Sequence, residues 1–277
     1  MRLGLGNSLI DSSVVGVSAE AQQFLDRLPI LPSSSLEGHY ATFIDGLVAA
    51  GIFDAFDALY LFPVETSSAS CVNLVQDRFP LDADNPSNTI TFTGLSPTPA
   101  DAGWESGGTG GRLIAYEDLS TATGLVLARN DASVFAWCVG TAAINSAREV
   151  NVIAASGGAL LNTISLFSRY TPNYVGGTAN ALDADQVYDD DNTDGSGFYL
   201  VQRTASNAQS IAKDASAVTP VAGATAASVA LPAGYLSHFP QRHTRAFGFG
   251  RSLTTQERTD LYNLLSAFMT STAGVVP

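Results

Sequence analysis

Phe198-Tyr-Leu-Val-Gln-Arg-Thr204, followed by Gln209-Ser-Ile-Ala-Lys213, is the stretch that decides the fold class. Aromatic and β-branched residues bounded by Gly197 and a polar run predict a strand, and the second run predicts its antiparallel return. Two more short runs, at residues 227–231 and 245–249, continue at a spacing set by turn residues. This part of the chain therefore predicts a β-meander.

A helix is predicted to follow the meander, at residues 254–270. Thr254 and Glu257 have the spacing of a capping box, in which each side chain accepts a hydrogen bond from the other residue's backbone N–H. Apolar residues then recur at helical spacing, namely Leu261, Leu264, Leu265 and Phe268. We expect one amphipathic helix that packs on the sheet and closes the domain.

The N-terminal half contains one strong helix prediction, at residues 36–51. Its apolar residues lie on one helical face, and they are Tyr40, Phe43, Ile44, Leu47 and Val48. The apolar run Ala58-Leu-Tyr-Leu-Phe62 predicts a strand on which this helix packs. Residues 1–35 contain Pro29, Pro32, a Ser run and a short helical stretch around residues 19–28. They are predicted to form an arm for attachment or oligomerisation, and residues 36–277 to form one domain.

Short apolar runs separated by Gly, Asn and Ser fill the middle of the chain. No long helical pattern lies between them, which favours a sandwich over a parallel α/β sheet. The runs that predict strands are residues 89–93, 113–116, 124–129, 133–139, 150–155 and 159–167. The predicted fold class is mainly β, with one helix before the sheets and one after them.

Charge excludes two classes of partner. The 277-residue chain has a formal net charge of −13 and contains a single lysine, Lys213. A phosphate backbone or an anionic membrane surface requires clustered Lys and Arg, so no nucleic acid partner is expected. No segment approaches the ~20 apolar residues of a membrane helix, so no membrane insertion is expected. The two cysteines, Cys71 and Cys138, lie among apolar neighbours and are predicted to be free buried thiols.

The two ends of the chain resemble a known class of protein. Residues 43–62 resemble the opening helix and strand of many phage and prophage virion proteins, and residues 199–205 with 246–262 resemble the end of the same proteins. The pattern Leu-Thr-x-x-Glu-x-x-x-Leu-Tyr at residues 253–262 also resembles the ending of concanavalin A-like, laminin G-type jelly rolls. The resemblance implies a jelly-roll spike or fibre protein on the surface of a phage or gene transfer particle.

Aromatic residues with amide or carboxylate neighbours are candidates for a glycan site. An aromatic ring stacks on the apolar face of a sugar, while planar polar groups bind its hydroxyls in a fixed orientation. The candidates are Tyr170, Asn173, Tyr174, Trp104 and Tyr188. Packing within loops is the alternative for each residue taken singly. As a group in long loops, they favour a carbohydrate-binding, lectin-like surface.

The acidic run before Gly195 is a candidate metal site. Asp190, Asn192 and Asp194 have the alternate spacing of oxygen ligands in a calcium loop, and Gly195 allows the sharp turn. Val201 stands where such a loop has its last glutamate, so a solvated acidic turn is the alternative. No cofactor is required by this interpretation, and calcium is the ion that the pattern admits.

Catalytic patterns are weak in this chain. Asn7-Ser8-Leu9 resembles the Gly-Asp-Ser-Leu block of a hydrolase family, but Asn7 replaces the aspartate and no Asp-x-x-His follows near the C-terminus. The Glu-x-Asp-x-x-Glu strand of jelly-roll glucanases is also missing from the sequence. We therefore predict a protein that is not an enzyme.

These expectations combine into one hypothesis and two alternatives. The hypothesis is a virion surface spike or fibre, assembled in the host cytoplasm and acting outside it, that attaches to host surface or capsular polysaccharide. It would contact other virion proteins and form a homo-oligomer, with a trimer favoured by analogy to fibres. The first alternative is a structural adaptor or spike base that contacts only virion proteins. The second is a polysaccharide-degrading hydrolase.

Overall fold

A computed structural model describes residues 17–84, 90–93, 103–106, 112–139, 150–154, 162–170, 174–182, 187–189, 195–214, 219–220, 231–238 and 243–273. The helices are α1 (Ala19–Arg27), α2 (Ser34–Ala49), the single turn α3 (Ser67–Ser70) and α4 (Thr255–Ala273), with a 3-10 turn at Phe53–Ala55. The early strands are β1 (Phe56–Leu61), β2 (Asp82–Asp84), β3 (Ile90–Thr93), β4 (Gly103–Ser106), β5 (Arg112–Asp118), β6 (Ala132–Val139) and β7 (Val150–Ala154). The later strands are β8 (Asn162–Tyr170), β9 (Tyr174–Leu182), β10 (Val187–Asp189), β11 (Gly197–Ala205), β12 (Ala208–Lys213), β13 (Thr219–Pro220), β14 (Gly234–His238) and β15 (His243–Gly250).

The strands form two antiparallel sheets. The eight-stranded sheet has the order β13-β12-β11-β6-β15-β4-β3, and β1 also pairs with β15. The seven-stranded sheet has the order β10-β9-β8-β7-β14-β5-β2. Because chain neighbours such as β14 and β15 lie in different sheets, the chain crosses repeatedly between the two layers. This is a jelly-roll sandwich, so the predicted fold class is confirmed.

The predicted meander is only partly correct. β11 and β12 form the expected hairpin, with Val201 opposite Ile211. β15, however, does not continue from them, because β6 lies between β11 and β15 and pairs with both. The predicted strand at residues 227–231 lies largely outside the described residues. The meander prediction was wrong because strand order is set by pairing with segments far away in the chain.

Residues 124–129 were also predicted as a strand and do not form one. This segment is irregular, and it forms a single bridge between Ala128 and Asp131. Its backbone N–H groups at Val126 and Leu127 donate to the carboxylate of Asp57 in β1 instead of to a neighbouring strand. The Asp57 side chain therefore accepts the hydrogen bonds that a neighbouring strand would otherwise accept.

The core has two layers, one on each face of the eight-stranded sheet. In β6, Phe135 and Trp137 point to the helices, whereas Val134, Ala136 and Cys138 point to the seven-stranded sheet. Both faces of this strand are buried, which explains why its sequence is apolar throughout instead of alternating. The molecule is thus a helical layer packed on a two-sheet sandwich.

The helix predicted at residues 36–51 is confirmed as α2. Ser33 caps its start, and its apolar face packs in the helical layer with Ile44 and Leu47 fully buried. Gly51 follows the helix with φ +70, a left-handed conformation that glycine adopts without strain.

α1 lies inside the stretch predicted to be an arm. Ala21, Phe24 and Leu25 are buried, and the ring of Phe24 meets Tyr40 of α2 at 4.9 Å between centroids. Residues 17–28 therefore pack on the domain, while the division into an arm and a domain stays a prediction. Within the part of the chain that the structure describes, none of the helices combines the length and apolar character needed to cross a lipid bilayer.

The predicted capping box begins α4. Thr254 N–H donates to Glu257 Oε2 at 2.7 Å, and Glu257 N–H donates to Thr254 Oγ1 at 3.3 Å. Arg251 also binds both carboxylate oxygens of Glu257, at 2.7 and 3.2 Å. The hydrogen bond from Arg251 is the main reason that the pKa of Glu257 falls from 4.5 to about 2.

This lowered pKa predicts an acid-sensitive contribution to stability. The native state holds Glu257 ionised more strongly than the unfolded chain does, so the stabilisation is present above pH 4.5 and is lost as the pH falls towards 2. We expect Glu257→Gln to cost about 1 kcal/mol at pH 7, because solvent screens this partly exposed pair. In urea unfolding, the gap to wild type should close on acidification. Thr254→Ala, which keeps the ion pair, should keep most of the pH dependence.

Candidate functional site

Four of the predicted glycan residues, Trp104, Tyr170, Tyr174 and Tyr188, lie on strands that end at one end of the sandwich. β14 finishes at His238 and β15 begins at His243, so these ends of the two sheets are neighbours. In the seven-stranded sheet, His238 pairs with Val150, and Val150 pairs with Leu166 of β8. β8 then runs on to Tyr170. In the eight-stranded sheet, Thr244 pairs with Trp104 of β4.

The three predicted tyrosines lie on neighbouring strands. Tyr170 and Tyr174 are opposite each other at the end of the β8–β9 hairpin. Tyr188 lies on the next strand, β10, opposite Gly176. The strand pairing therefore places these three positions close together in the fold. Trp104 lies in the other sheet, on β4, and is separated from β11 by β15 and β6.

The ring of Tyr188 packs against the ring of Phe167. Its side chain is 40% exposed, and its ring centroid lies 5.8 Å from that of buried Phe167. A Cβ at Gly176 would lie 2.7 Å from the ring of Phe167. Glycine at this position therefore allows the Phe167 ring to lie across β9 beneath Tyr188.

The metal prediction is not tested by the structure. Asp190, Asn192 and Asp194 lie outside the described residues, as does Asn173 of the glycan prediction. Elsewhere, among the residues that the structure describes, no three His, Cys, Asp or Glu side chains form a group that could hold a metal ion. Calcium binding by the acidic run stays a prediction.

A groove at the other edge of the seven-stranded sheet was not predicted from the sequence. It has a volume of about 590 Å³ and lies where β2 pairs with β5. Its lining consists of Phe79, Pro80, Leu81, Asp82, Tyr116 and Glu117. Two aromatic residues, two carboxylates and two further apolar residues therefore line one concavity.

Tyr116 presents its ring at this groove. Leu113 and Ala115 of β5 face the core between the sheets, so the intervening positions point to the outer face. The side chain of Tyr116 is 55% exposed. Its ring packs edge-on against Tyr235 of β14, with 5.5 Å between centroids. The neighbouring ring fixes its orientation without covering it.

An ion pair forms the polar wall. Arg78 Nε donates to both carboxylate oxygens of Glu117 at 2.8 Å, and a terminal nitrogen of Arg78 also binds Glu117 Oε1. The other terminal nitrogen donates to the carbonyl of Thr123 at 2.5 Å. The hydrogen bond with Glu117 raises the pKa of Arg78. The carboxylate is thus held in one orientation. Oε1 accepts two hydrogen bonds from Arg78, whereas Oε2 accepts one and keeps a lone pair for another donor.

Phe79 anchors the floor of the groove. Its backbone has φ 55, a left-handed conformation that is unusual for an aromatic residue. Tyr60 Oη donates to the Phe79 carbonyl, and the Phe79 ring packs edge-on against Phe249 at 5.4 Å. The guanidinium of Arg78 lies over the same ring at 4.8 Å. Core contacts therefore hold the segment that carries Arg78 and Asp82.

The sequence contained only part of the signal for this groove. The run Arg112-Leu-Ile-Ala-Tyr116 predicts a strand, and Glu117 follows it, so an aromatic residue and a carboxylate at a strand end were visible. Arg78 is 39 residues away in sequence. No local pattern joins it to Glu117.

Solved structures that share this fold include the following two. The binding domain of botulinum neurotoxin DC, solved in complex with SialylT, aligns with a TM-score of 0.51 and 10% identity over 77% of this chain and 52% of that chain. Domain 4 of AbnA, a GH43 extracellular arabinanase from Geobacillus stearothermophilus, solved in complex with arabinotriose, aligns with a TM-score of 0.50 and 13% identity over 75% of this chain and 98% of that chain.

Likeness at this level of identity establishes the fold and no more. The chain is a jelly-roll sandwich domain that spans about half the length of the toxin binding domains it matches. No protein-family model matches the sequence, and the search of curated proteins found no match.

Proposed function

We propose that this domain binds carbohydrate without cleaving it, and that the groove beside Tyr116 is the binding site. The observation that carries the proposal is the 55% exposed ring of Tyr116 at a cavity of about 590 Å³, next to the fixed carboxylate of Glu117. A ring face for the apolar side of a sugar and oriented acceptors for its hydroxyls are the two elements of a saccharide site. The arabinotriose complex of the arabinanase domain supports saccharide binding on this fold.

Attachment of a particle to a host is the finer part of the proposal. The resemblance of residues 43–62 and 246–262 to virion proteins supports a spike or fibre on a virion surface. Host surface or capsular polysaccharide is the proposed ligand. Several copies on one particle, in a homo-oligomer, would convert weak single sites into strong binding by avidity.

The experiment measures the affinity of purified protein for extracted surface polysaccharide. We expect Tyr116→Ala to weaken binding by about tenfold or more, equivalent to roughly 1.4 kcal/mol, because the stacking ring is lost. Tyr116→Phe, which keeps the ring, should bind nearly as well as wild type. Tyr188→Ala at the opposite edge of the same sheet is the matched control. Loss of binding in Tyr188→Ala alone would move the site to the tyrosines predicted from the sequence.

Further arms of the experiment separate the remaining hypotheses. Polysaccharide chains that stay full length after incubation support a binding protein, and shortened chains would identify a hydrolase. Binding that disappears with chelator would assign calcium to Asp190, Asn192 and Asp194. Binding to particle components with no binding to polysaccharide would identify a structural adaptor.

A further inference from the structure

We propose that the groove selects neutral saccharides and rejects acidic ones, an inference that rests on the proposed carbohydrate binding. The groove is lined by two carboxylates, Asp82 and Glu117, and Glu117 forms an ion pair with Arg78. The charges of these three side chains, and the hydrogen bonds between Arg78 and Glu117, determine which class of saccharide the groove can bind.

The guanidinium of Arg78 already forms hydrogen bonds within the protein. Both oxygens of Glu117 and the Thr123 carbonyl accept its hydrogen bonds, and its flat face covers the Phe79 ring. A uronic acid or sialic acid carboxylate would have to compete with Glu117 for this guanidinium. Glu117 belongs to the same chain, so its pairing with Arg78 does not cost the translational and rotational freedom that a bound ligand loses. Glu117 is therefore the favoured partner of Arg78.

The remaining charge at the groove is negative. Asp82 borders it, and Asp57 and Glu117 are the acidic side chains whose charges act on Arg78. An acidic sugar placed on the ring of Tyr116 would lie near Asp82, whose repulsion Arg78 does not offset while it is paired with Glu117. The formal net charge of −13 adds a long-range repulsion of anionic polymers.

Sugar hydroxyl groups, unlike acidic groups, interact favourably with the carboxylates of the groove. The second lone pair of Glu117 Oε2 and the carboxylate of Asp82 can accept hydrogen bonds, and each sugar hydroxyl supplies one donor. Hydrogen bonds to a charged acceptor are stronger than neutral ones, so adjacent hydroxyls of a neutral sugar suit this wall. The carboxylates attract hydroxyl donors and repel acidic groups at the same positions.

The test compares neutral with acidic polymers by affinity electrophoresis at 20 and 500 mM NaCl. The probes are arabinan, dextran and galactomannan against alginate, hyaluronate and polygalacturonate. We expect retardation by at least one neutral polymer, changing less than about twofold with salt, and binding to the acidic polymers weaker by about tenfold at low salt.

Two charge variants test whether the discrimination against acidic polymers arises at the groove. Asp82→Asn should raise binding to acidic polymers by about threefold to tenfold, because one repelling carboxylate is removed from the groove. Asp26→Asn on α1 makes the same change in net charge away from the groove and should leave binding unchanged. Preferred binding of wild type to an acidic polymer would overturn the selectivity while supporting carbohydrate binding. No binding to any polymer would overturn both.

Discussion

Trp137→Ala is expected to destabilise the protein by about 3–5 kcal/mol, the usual range for removing a fully buried tryptophan. The side chain is 0% exposed in β6 and points from the eight-stranded sheet into the helical layer. Its ring stacks on Tyr262 of α4 at 5.7 Å, with an angle of 23° between the planes, and it contacts Phe198 of β11 at 6.3 Å. The substitution therefore opens a cavity between the sheet and the closing helix.

Trp137→Phe is the matched variant. The indole Nε1 has no hydrogen-bond partner among the described residues, so phenylalanine removes volume without leaving a protein group unpaired. We expect a loss of about 1–2 kcal/mol for this change. Urea unfolding followed by circular dichroism measures both variants against wild type. A loss below about 1 kcal/mol for Trp137→Ala would mean that α4 does not pack on β6.

The parts of the fold that the sequence predicts correctly are those specified by neighbouring residues. Thr254 and Glu257 are three positions apart, and their mutual hydrogen bonds form as expected. The hairpin of β11 and β12 is also local, because the pair of Ala205 and Ala208 closes a short turn. In both cases the interacting groups are close in the chain, so the pattern alone constrains the geometry.

Strand order and the groove depend on distant residues. β6 inserts between β11 and β15, and its pairing of Phe135 with both Leu200 and Gly248 joins segments far apart in sequence. The groove needs Arg78, in the irregular segment before β2, to meet Glu117 of β5. Residues 124–129 show the same limit, since their apolar pattern predicts a strand but Asp57 binds their backbone instead. The spacing of apolar residues predicts which positions are buried, but it does not predict which distant segment packs against them.

Asp57→Ala is expected to destabilise the protein by about 2–4 kcal/mol, because it leaves two backbone donors without an acceptor. Asp57 is 0% exposed in β1. Its two carboxylate oxygens accept hydrogen bonds from the N–H groups of Val126 and Leu127, each at 2.8 Å. These bonds fix an irregular segment that has no strand partner of its own, and Leu127 is too deeply buried for water to replace the lost acceptor.

The pH dependence of this variant should be opposite to that of Glu257→Gln. Burial raises the pKa of Asp57 above its ordinary value of 3.8, and this outweighs the two hydrogen bonds, which lower it. The native state therefore binds the proton more tightly than the unfolded chain. This contribution to stability is full below pH 3.8 and is lost as the pH rises through the pKa of the folded state. Asp57→Ala lacks this contribution, so its gap to wild type should widen on acidification.

Urea unfolding of wild type and Asp57→Ala across this pH range measures both expectations. Asp118→Ala is the matched control, because Asp118 Oδ1 accepts backbone N–H groups of Ser120 at 2.9 Å and Gly234 at 3.2 Å in a more exposed position. Water can replace that acceptor, so the control should cost less than about 1 kcal/mol. A gap for Asp57→Ala that narrows on acidification would mean that the two N–H donors, and not burial, dominate the pKa of this carboxylate.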